Sequence, residues 1–534
     1  MHRSAPRAPR ALPAILLPLL AAIAIAPLIV HGCSCGADFE FHLQSWLDAA
    51  AQMRHGTLSP AWTISAAWNA GEPRFLFYPP LSWMLGALLA LTVPISAAPI
   101  FFTGIALLGA ATAMYLLVRD YVSVPIALLA AAVYIANPYL LFTALERTAY
   151  GELLAAIWMP LLLRAALRRV PGIAALAMPL ALLWLTNAPA AVIGTYALLL
   201  IGVIRVGLAM FVRRTETSRA LTLLLRFSCG GALGLALLGF YLLPAAYERR
   251  YVQVAMAIIP NMRVEDNFLF GHTGDAPHDR VLHEVSAIAV VMLIATLIAL
   301  VLAFAARREQ RSGEANNRTA SFPILATLAA AITLLLTPVS LPLWNHVPEL
   351  AFLQFPWRML SMLGVILALA VALALRRVPS TRNTLAIASV LSLLTVAAMT
   401  AWEMHGFRQP CEALDQPAAR AQLFVTHHGV EPTDEYTPTN ADNDVLRWDN
   451  PAWWLASDAA AFAPNTVPNP AAAILNYDVP PPVDQTVSGI APHHLQLKLD
   501  KPRILIFNLR DYPSWQVLRN RTLVPQHLRR DDGL

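Results

Sequence analysis

Three ionisable residues stand together near the start of the chain, in Gly36-Ala37-Asp38-Phe39-Glu40-Phe41-His42. At i, i+2 and i+4, a helix puts Asp38 and His42 on one face and turns Glu40 elsewhere. A carboxylate placed so can act as a general base or a metal ligand, and a neighbouring histidine can hydrogen-bond a substrate or share the metal. The plain alternative is a solvated loop in which Asp38 caps a helix. A second polar group follows at Glu146-Arg147-Thr148-Ala149-Tyr150-Gly151-Glu152. Arg147 and Glu152 there interrupt an apolar stretch, and simple boundary polarity with Tyr150 as an interfacial anchor explains them equally well. The third is Arg358, closing Gln354-Phe355-Pro356-Trp357-Arg358. A guanidinium fork binds phosphate bidentately, so an arginine at a lipid boundary suits a lipid-linked phosphate; snorkelling to headgroups is the alternative. His272, Asp275, His278, Asp279 and His283 fit no standard metal spacing and read as a solvated loop. Trp46, Trp62, Trp68 and Trp83 suit either ring stacking or interfacial anchoring.

The elements that must position these residues are apolar. Of 534 residues, 57% are hydrophobic and only 13% charged, with mean hydropathy +0.54, against about 25% charged in a soluble protein. Apolar runs recur up to about residue 400, each roughly the 17–25 residues that cross a bilayer as a helix. In hydrocarbon only helices or closed barrels satisfy the backbone, and unbroken apolar runs exclude a barrel. The expected fold class is an α-helical polytopic membrane protein. A net charge of +5 does not point to nucleic acid. The only lysines are Lys498 and Lys501, and the arginines cluster in short gaps between apolar runs, as the positive-inside rule expects.

Those arginines orient the chain. Arg164, Arg168 and Arg169 form one cluster, Arg213, Arg214 and Arg219 a second. Arg307, Arg308, Arg311 and Arg318 form a third, and Arg376, Arg377 and Arg382 a fourth. Two apolar segments separate each consecutive pair, so the clusters and the N-terminus are expected in the cytoplasm. The apolar run Ala11 to Val30, after Arg3, Arg7 and Arg10, is expected to stay as a first helix rather than leave as a signal peptide. Counting 79–93, 97–117 and 124–143 all as spans puts Arg164 on the wrong side. The shortest, 79–93, is therefore expected to lie on the outer surface, which leaves about eleven spans. The transmembrane domain is read as 1–401, with outward loops 32–96 and 248–283, and residues 402–534 as an extracytoplasmic tail. From about Gln485 the tail alternates like strands, as in His494–Leu499, and is expected to be a β-rich domain cut short. Cys33, Cys35 and Cys411 fall in outward segments, so an oxidised pair is allowed but no connectivity is fixed. Nothing resembles a Gly-rich phosphate loop or a nucleotide-sugar domain.

The succession Tyr78-Pro79-Pro80, surface helix, span, Arg119-Asp120-Tyr121, span, Arg147-Thr148-Ala149-Tyr150-Gly151-Glu152 resembles the N-terminal half of the oligosaccharyltransferase catalytic subunit, of the GT-C class of glycosyltransferases. The resemblance implies a polyprenyl-phosphate-linked sugar donor, a catalytic acid at Asp38 and a second acidic motif at Glu152. It also implies the non-spanning helix that arginine parity demands on separate grounds. The chain is similar over nearly its whole length to the bacterial YfhO-like family, some of whose members are labelled 6-pyruvoyl-tetrahydropterin-synthase-related. The shared features are Asp38 with His42, Phe77-Tyr78-Pro79-Pro80-Leu81, Gln354-Phe355-Pro356-Trp357-Arg358, Asp434-Glu435-Tyr436-Thr437-Pro438 and Tyr512-Pro513-Ser514-Trp515. No soluble pterin-enzyme pattern accompanies them. The oligosaccharyltransferase Trp-Trp-Asp motif is not matched, because Trp453-Trp454 is followed by Leu455, so peptide glycosylation is not carried over.

These readings converge on one expectation, a glycosyltransferase in a bacterial inner membrane. It takes a sugar from a polyprenyl-phosphate carrier to a cell-envelope glycan acceptor at the outer face. Asp38, Glu152 and His42 are expected at the chemistry, with Arg147, Arg358, Glu40, Tyr78 and Tyr150 binding substrate. Asp38 and Glu152 are the pair that a divalent cation, Mg or Mn, would use. The alternatives are a transporter or flippase of lipid-linked saccharides and a non-catalytic accessory protein. A transporter places ionisable groups near mid-bilayer, whereas the spans here are almost free of them.

Overall fold

The computed structural model describes residues 11–212, 217–308, 321–439, 441–456, 474–475, 488–524 and 529–534. Arg3, Arg7, Arg10, Arg213, Arg214, Arg311, Arg318 and Gln485, used above, lie outside the described residues.

The first helix, α1 (Ala11–His31), runs into a long connection that holds α2 (Phe39–Arg54), the single turn α3 (Arg74–Phe77) and α4 (Pro80–Thr92). Next come α5 (Ala98–Arg119), α6 (Val124–Ile135), α7 (Pro138–Leu145), α8 (Tyr150–Ala155) and α9 (Trp158–Leu167). The middle of the chain forms α10 (Ile173–Thr186), α11 (Ala188–Gly207), α12 (Thr217–Ala236) and α13 (Gly239–Glu248). Then follow α14 (Ala276–Arg308), α15 (Ser321–Leu335), α16 (Leu341–His346), α17 (Leu360–Ala374) and α18 (Arg382–Phe407), and α19 (Pro417–Val425) lies in the tail. Among the described residues, 8 helices are long and apolar enough to cross a membrane, or 10 if each bent pair makes one span. The chain is an α-helical polytopic membrane protein.

The difference from eleven has a physical cause. Two expected spans are broken, Val124–Ile135 with Pro138–Leu145 by 44° and Phe322–Leu335 with Pro338–His346 by 92°. At the first break Pro138 cannot donate to the helix before it, and Asn137 caps the helix after it, its side chain accepting from the Leu140 N–H at 3.0 Å. The remaining expected span is α10, whose 14 residues give a length of about 21 Å, short of the roughly 30 Å of hydrocarbon. α4, expected on the surface, is also too short to cross at 13 residues.

The apolar core lies where α17 passes through the bundle: Leu360, Met362 to Ala370 and Ala372 are buried all round. A helix apolar on every side belongs in the interior, and α17 packs on α14, α6 and α5. α18, with only part of one face buried, stands at the periphery against α6 and α1.

The tail packs on the connection between α1 and α4. Trp68 N–H donates to Val430 O and Val430 N–H to Ser65 O, each at 2.9 Å, and Arg510 N–H donates to Ala70 O at 3.0 Å. Ala67, Ala70, Leu446, Trp454, Ile506 and Leu534 bury one another in a small separate core. The expected β-structure is present in short pieces: β1 (Trp453–Leu455) antiparallel to β3 (Leu505–Phe507), β2 (Ile474–Leu475) parallel to β6 (Arg529–Arg530), and β4 (Leu518–Arg519) antiparallel to β5 (Thr522–Leu523). Cys35 and Cys411 are joined by a disulfide across 376 residues, tying the segment after α1 to the start of the tail.

Candidate functional site

The segment between α1 and α2 is pressed flat against the turn between α7 and α8. A Cβ on Gly36 would stand 2.0 Å from the Glu146 carbonyl oxygen, so only glycine permits the approach. Beside it Ala37 N–H donates to Glu146 O at 3.2 Å and Asp38 N–H to Arg147 O at 2.8 Å. Thr148, with φ of 49°, turns the chain sharply enough to aim Arg147 back at this segment; a β-branched residue there is a strained exception.

Asp38 occupies the N-cap position of α2 yet makes no capping hydrogen bond. The capping alternative therefore gives way to a different contact: Arg147 Nη2 donates to Asp38 Oδ2 at 3.1 Å and Arg147 Nη1 to Glu152 Oε2 at 2.6 Å. The other Glu152 oxygen accepts from the Tyr139 hydroxyl. Arg358 Nε stands 3.6 Å from Glu152 Oε2 and has no hydrogen-bond partner. Its Nη1 is held by Leu353 O at 2.8 Å and Gln354 Oε1 at 3.2 Å. The two guanidinium groups stack, Arg147 5.0 Å from the Trp357 ring centroid and Arg358 4.8 Å from that of Phe355. Two carboxylates and two guanidiniums thus interlock, with Arg147 and Arg358 only 7% and 9% exposed. Burying them is tolerable because each charge faces an opposite one.

His42 lies one turn after Asp38, as the spacing predicts, 5.8 Å from the Tyr78 ring and 5.4 Å from that of Tyr150. Burial lowers its pKa to about 4; Asp38 opposes the shift and the Arg147 and Arg74 charges reinforce it. At neutral pH His42 is an uncharged ring that can donate or accept one hydrogen bond. Burial likewise pushes the Tyr78 hydroxyl up.

These groups open on a cavity of about 900 Å³. Asp38, His42, Tyr78, Arg147, Glu152 and Arg358 all line it, joined by Asn187, His278 and Gln354 and, from the tail, by Asp434, Glu435 and Tyr436. The Asp38 side chain is the most open of the four charged groups, at 40%, and among the described residues its Oδ1 has no hydrogen-bond partner. The tail segment is clamped in place: Arg74 Nη2 donates to Thr433 Oγ1 at 3.0 Å, Thr433 N–H to Glu72 Oε2 at 2.9 Å, and Arg74 Nε to Glu72 Oε1 at 2.8 Å. Tyr436 stacks on Phe77 at 5.9 Å. Burial raises the Glu435 carboxyl to about 7, with Glu72 and Asp434 adding to the rise and Arg74 opposing it.

The structure sorts the remaining expected residues. Glu40 points away from the cavity, as its spacing implies, and pairs with Arg420 through Oε2 at 2.9 Å. Tyr150 lies behind the site, packed 4.9 Å from Trp46 and 5.1 Å from Phe102. Asp38 and Glu152, the pair considered for a divalent cation, both bind Arg147. Trp46 and Trp83 are core residues at 0% and 2% exposure, and Trp62 packs on Tyr512 and Trp515. Asp279 receives Thr273 N–H at 2.8 Å and Gly274 N–H at 3.1 Å, which ties its loop together, and of the five loop residues His278 alone lines the cavity. Sequence reasoning missed Tyr139, which sits inside an apolar run; the Asn137-Pro138 helix break just before it was the available signal. Asn187, Glu435 and Tyr436 were missed as well.

No family model matches the sequence, and no curated protein does. Among solved structures the chain is similar to the crystal structure of ArnT from Cupriavidus metallidurans bound to undecaprenyl phosphate, at 11% identity and TM-score 0.30, covering 79% of this chain and 90% of that one.

Proposed function

We propose that the chain is a bacterial inner-membrane glycosyltransferase that moves a sugar from a polyprenyl-phosphate carrier to a cell-envelope acceptor at the outer face. The observation that carries this reading is the Arg358 guanidinium, buried at the cavity wall with an Nε that makes no hydrogen bond, facing the same space as the open carboxylate of Asp38. The same cavity is lined by apolar residues, among them Val254, Ile259, Val281 and Leu282, which suit the first isoprene units beside the phosphate.

In the proposed reaction the acceptor hydroxyl oxygen attacks the anomeric carbon as the bond from that carbon to the phosphate oxygen breaks. Asp38 Oδ1 takes the hydroxyl proton, with Oδ2 fixed by Arg147. The charge that develops on the departing phosphate falls on Arg358 and Arg147, which are already oriented and need no rearrangement. Glu152 is the positioning residue: it holds Arg147 at 2.6 Å and neutralises the arginine pair while the cavity is empty. Neutral His42 and the Tyr78 hydroxyl offer hydrogen bonds to the sugar. Arg147 supplies the positive charge between Asp38 and Glu152, so the proposal includes no metal step.

The test compares wild type with Asp38→Asn in membranes supplied with radiolabelled polyprenyl-phosphate sugars, following label into cell-envelope glycan. An asparagine oxygen still accepts from Arg147, so the site persists while the base is lost, and transfer should fall by roughly 10²–10⁴. Equal transfer by both proteins removes Asp38 from the chemistry. No transfer by either moves the reading to transport or carrier binding.

A further inference from the structure

Beside the cavity, where α1 ends and the tail begins, three cysteines crowd together. Cys35 is bonded to Cys411, and Cys33 is free and buried. Its Sγ lies 3.7 Å from Cys411 Sγ, near sulfur–sulfur contact, and all three sulfurs lie within 4.8 Å of one another. Cys33 and Cys35 flank Ser34, whose hydroxyl donates to Leu145 O at 2.6 Å and accepts from Gln409 N–H at 2.8 Å. The backbone there is pinned, and both cysteines keep Cys411 within reach without a shift of the helices.

We propose that Cys33, Cys35 and Cys411 form a thiol–disulfide exchange site in which the crosslink passes between Cys35–Cys411 and Cys33–Cys411. The Cys33 thiolate attacks Cys411 Sγ. The Cys33–Cys411 bond forms as the Cys35–Cys411 bond breaks, the electron pair leaves on Cys35 Sγ, and Cys35 takes up the proton that Cys33 gave to solvent. One disulfide and one thiol stand on each side, so no oxidant or reductant is consumed. Burial pushes the Cys33 thiol up, against the pull of its own backbone N–H and of the Arg408 charge. The exchange is therefore slow near neutrality and quickens as the thiolate fraction grows.

The two crosslinks differ in what they hold. Cys35 is next to Gly36 and three residues before Asp38, and its N–H donates to Gln409 O at 2.9 Å. With the bond at Cys35, the segment leading to Asp38 is covalently fixed to the tail. With the bond at Cys33, the tie moves back to the end of α1, and hydrogen bonds alone hold that segment. Outside dithiols and disulfides of small size would meet the site at its half-buried Cys35 and Cys411 side, but the isomerisation needs none of them. The chemistry is independent of any glycosyl transfer.

The test uses the full chain carrying Cys229→Ala, which removes the free thiol on α12. The purified protein is incubated at a series of pH values, quenched with acid, denatured, alkylated under acid with a maleimide, and mapped by peptide fragmentation. The expected result is label on Cys35 as well as on Cys33, at a constant final ratio reached about tenfold faster per pH unit. Label confined to Cys33 at every pH overturns the proposal. A second pair of variants guards against misreading. Cys33→Ser keeps Cys35–Cys411, and Cys35→Ser should form Cys33–Cys411, so both bind no maleimide under oxidising conditions. Two maleimides on monodisperse Cys35→Ser, beside none on Cys33→Ser, also overturn it.

Discussion

Arg358→Lys separates the guanidinium fork from its charge. In the structure Arg358 spends Nη1 on Leu353 O and Gln354 Oε1, leaving Nε, 3.6 Å from Glu152 Oε2, without a hydrogen bond and Nη2 with no hydrogen bond among the described residues. If a carrier phosphate takes both free donors, it gains two charge-assisted hydrogen bonds, each contributing about 1.5–3 kcal/mol. A lysine keeps the positive charge that Glu152 faces but offers one compact donor on a flexible stem. It should recover one of the two, so phosphate affinity should fall by about 1.5–3 kcal/mol, roughly 10- to 150-fold. Folding loses two hydrogen bonds from the charged guanidinium, at Leu353 and Gln354, about 1.5–3 kcal/mol each less what the lysine ammonium recovers, and the Arg147–Glu152 pair remains. The assay is equilibrium binding of polyprenyl phosphate and of uncharged polyprenol to purified protein in lipid nanodiscs, with thermal unfolding alongside. The prediction is weaker phosphate binding, unchanged polyprenol binding and a fall in Tm that is the same with and without ligand. Unchanged phosphate binding, or an equal loss for both ligands, refutes the assignment of Arg358 to the phosphate.

Gly36→Ala places a methyl 2.0 Å from a backbone oxygen that cannot step aside. It should cost about 1–3 kcal/mol and break the Asp38 N–H to Arg147 O contact; full stability with full transfer would show that the segment is looser than described. Tyr139→Phe removes the hydroxyl donated to buried Glu152 and should lower stability by about 1–3 kcal/mol, measured as a Tm shift, while Tyr134→Phe serves as a comparison away from the charges. The Glu435 carboxyl is raised from 4.5 to about 7, so the folded state favours its protonated form. The stability it gives the tail segment is full below about pH 4.5 and is lost as pH rises through about 7. Hydrogen exchange over 432–439 should therefore quicken between mildly acidic and mildly alkaline pH, and Glu435→Gln should flatten the profile; an unchanged profile in that variant assigns the dependence elsewhere.

Much of the bundle is legible in the residues because the bilayer constrains helices so tightly. The apolar runs, the shortness of Pro80–Thr92 and the common face of Asp38 and His42 follow from length and period alone. Arg147, Glu152 and Arg358 stand out because charge is scarce where they lie. The boundaries hidden from the sequence are those where proline and a capping side chain bend a run without making it less apolar, as at Asn137-Pro138. What joins distant segments was also hidden. Glu40 looked available for substrate, but its partner Arg420 lies 380 residues away, and no local pattern announces such a contact. The same holds for Cys35 with Cys411, and for the tail residues 432–436 that close one wall of the cavity. Tyr139 was concealed by its neighbours, since a hydroxyl among apolar residues reads as membrane filling until a buried carboxylate is seen to need it.

The bond between Cys35 and Cys411 also sets a schedule for assembly. At about 5–20 residues per second, a ribosome needs roughly 20–75 s to cross the 376 residues between them. Asp38 is made at the very start of that interval, Arg358 only in its last part, and the covering segment at 432–436 after it has ended. For most of that interval a nascent chain therefore carries Asp38 without Arg358 and without the segment at 432–436, and the pocket exists only once that segment has been made. Synthesis past residue 436 is, for this architecture, the licence for the site to form.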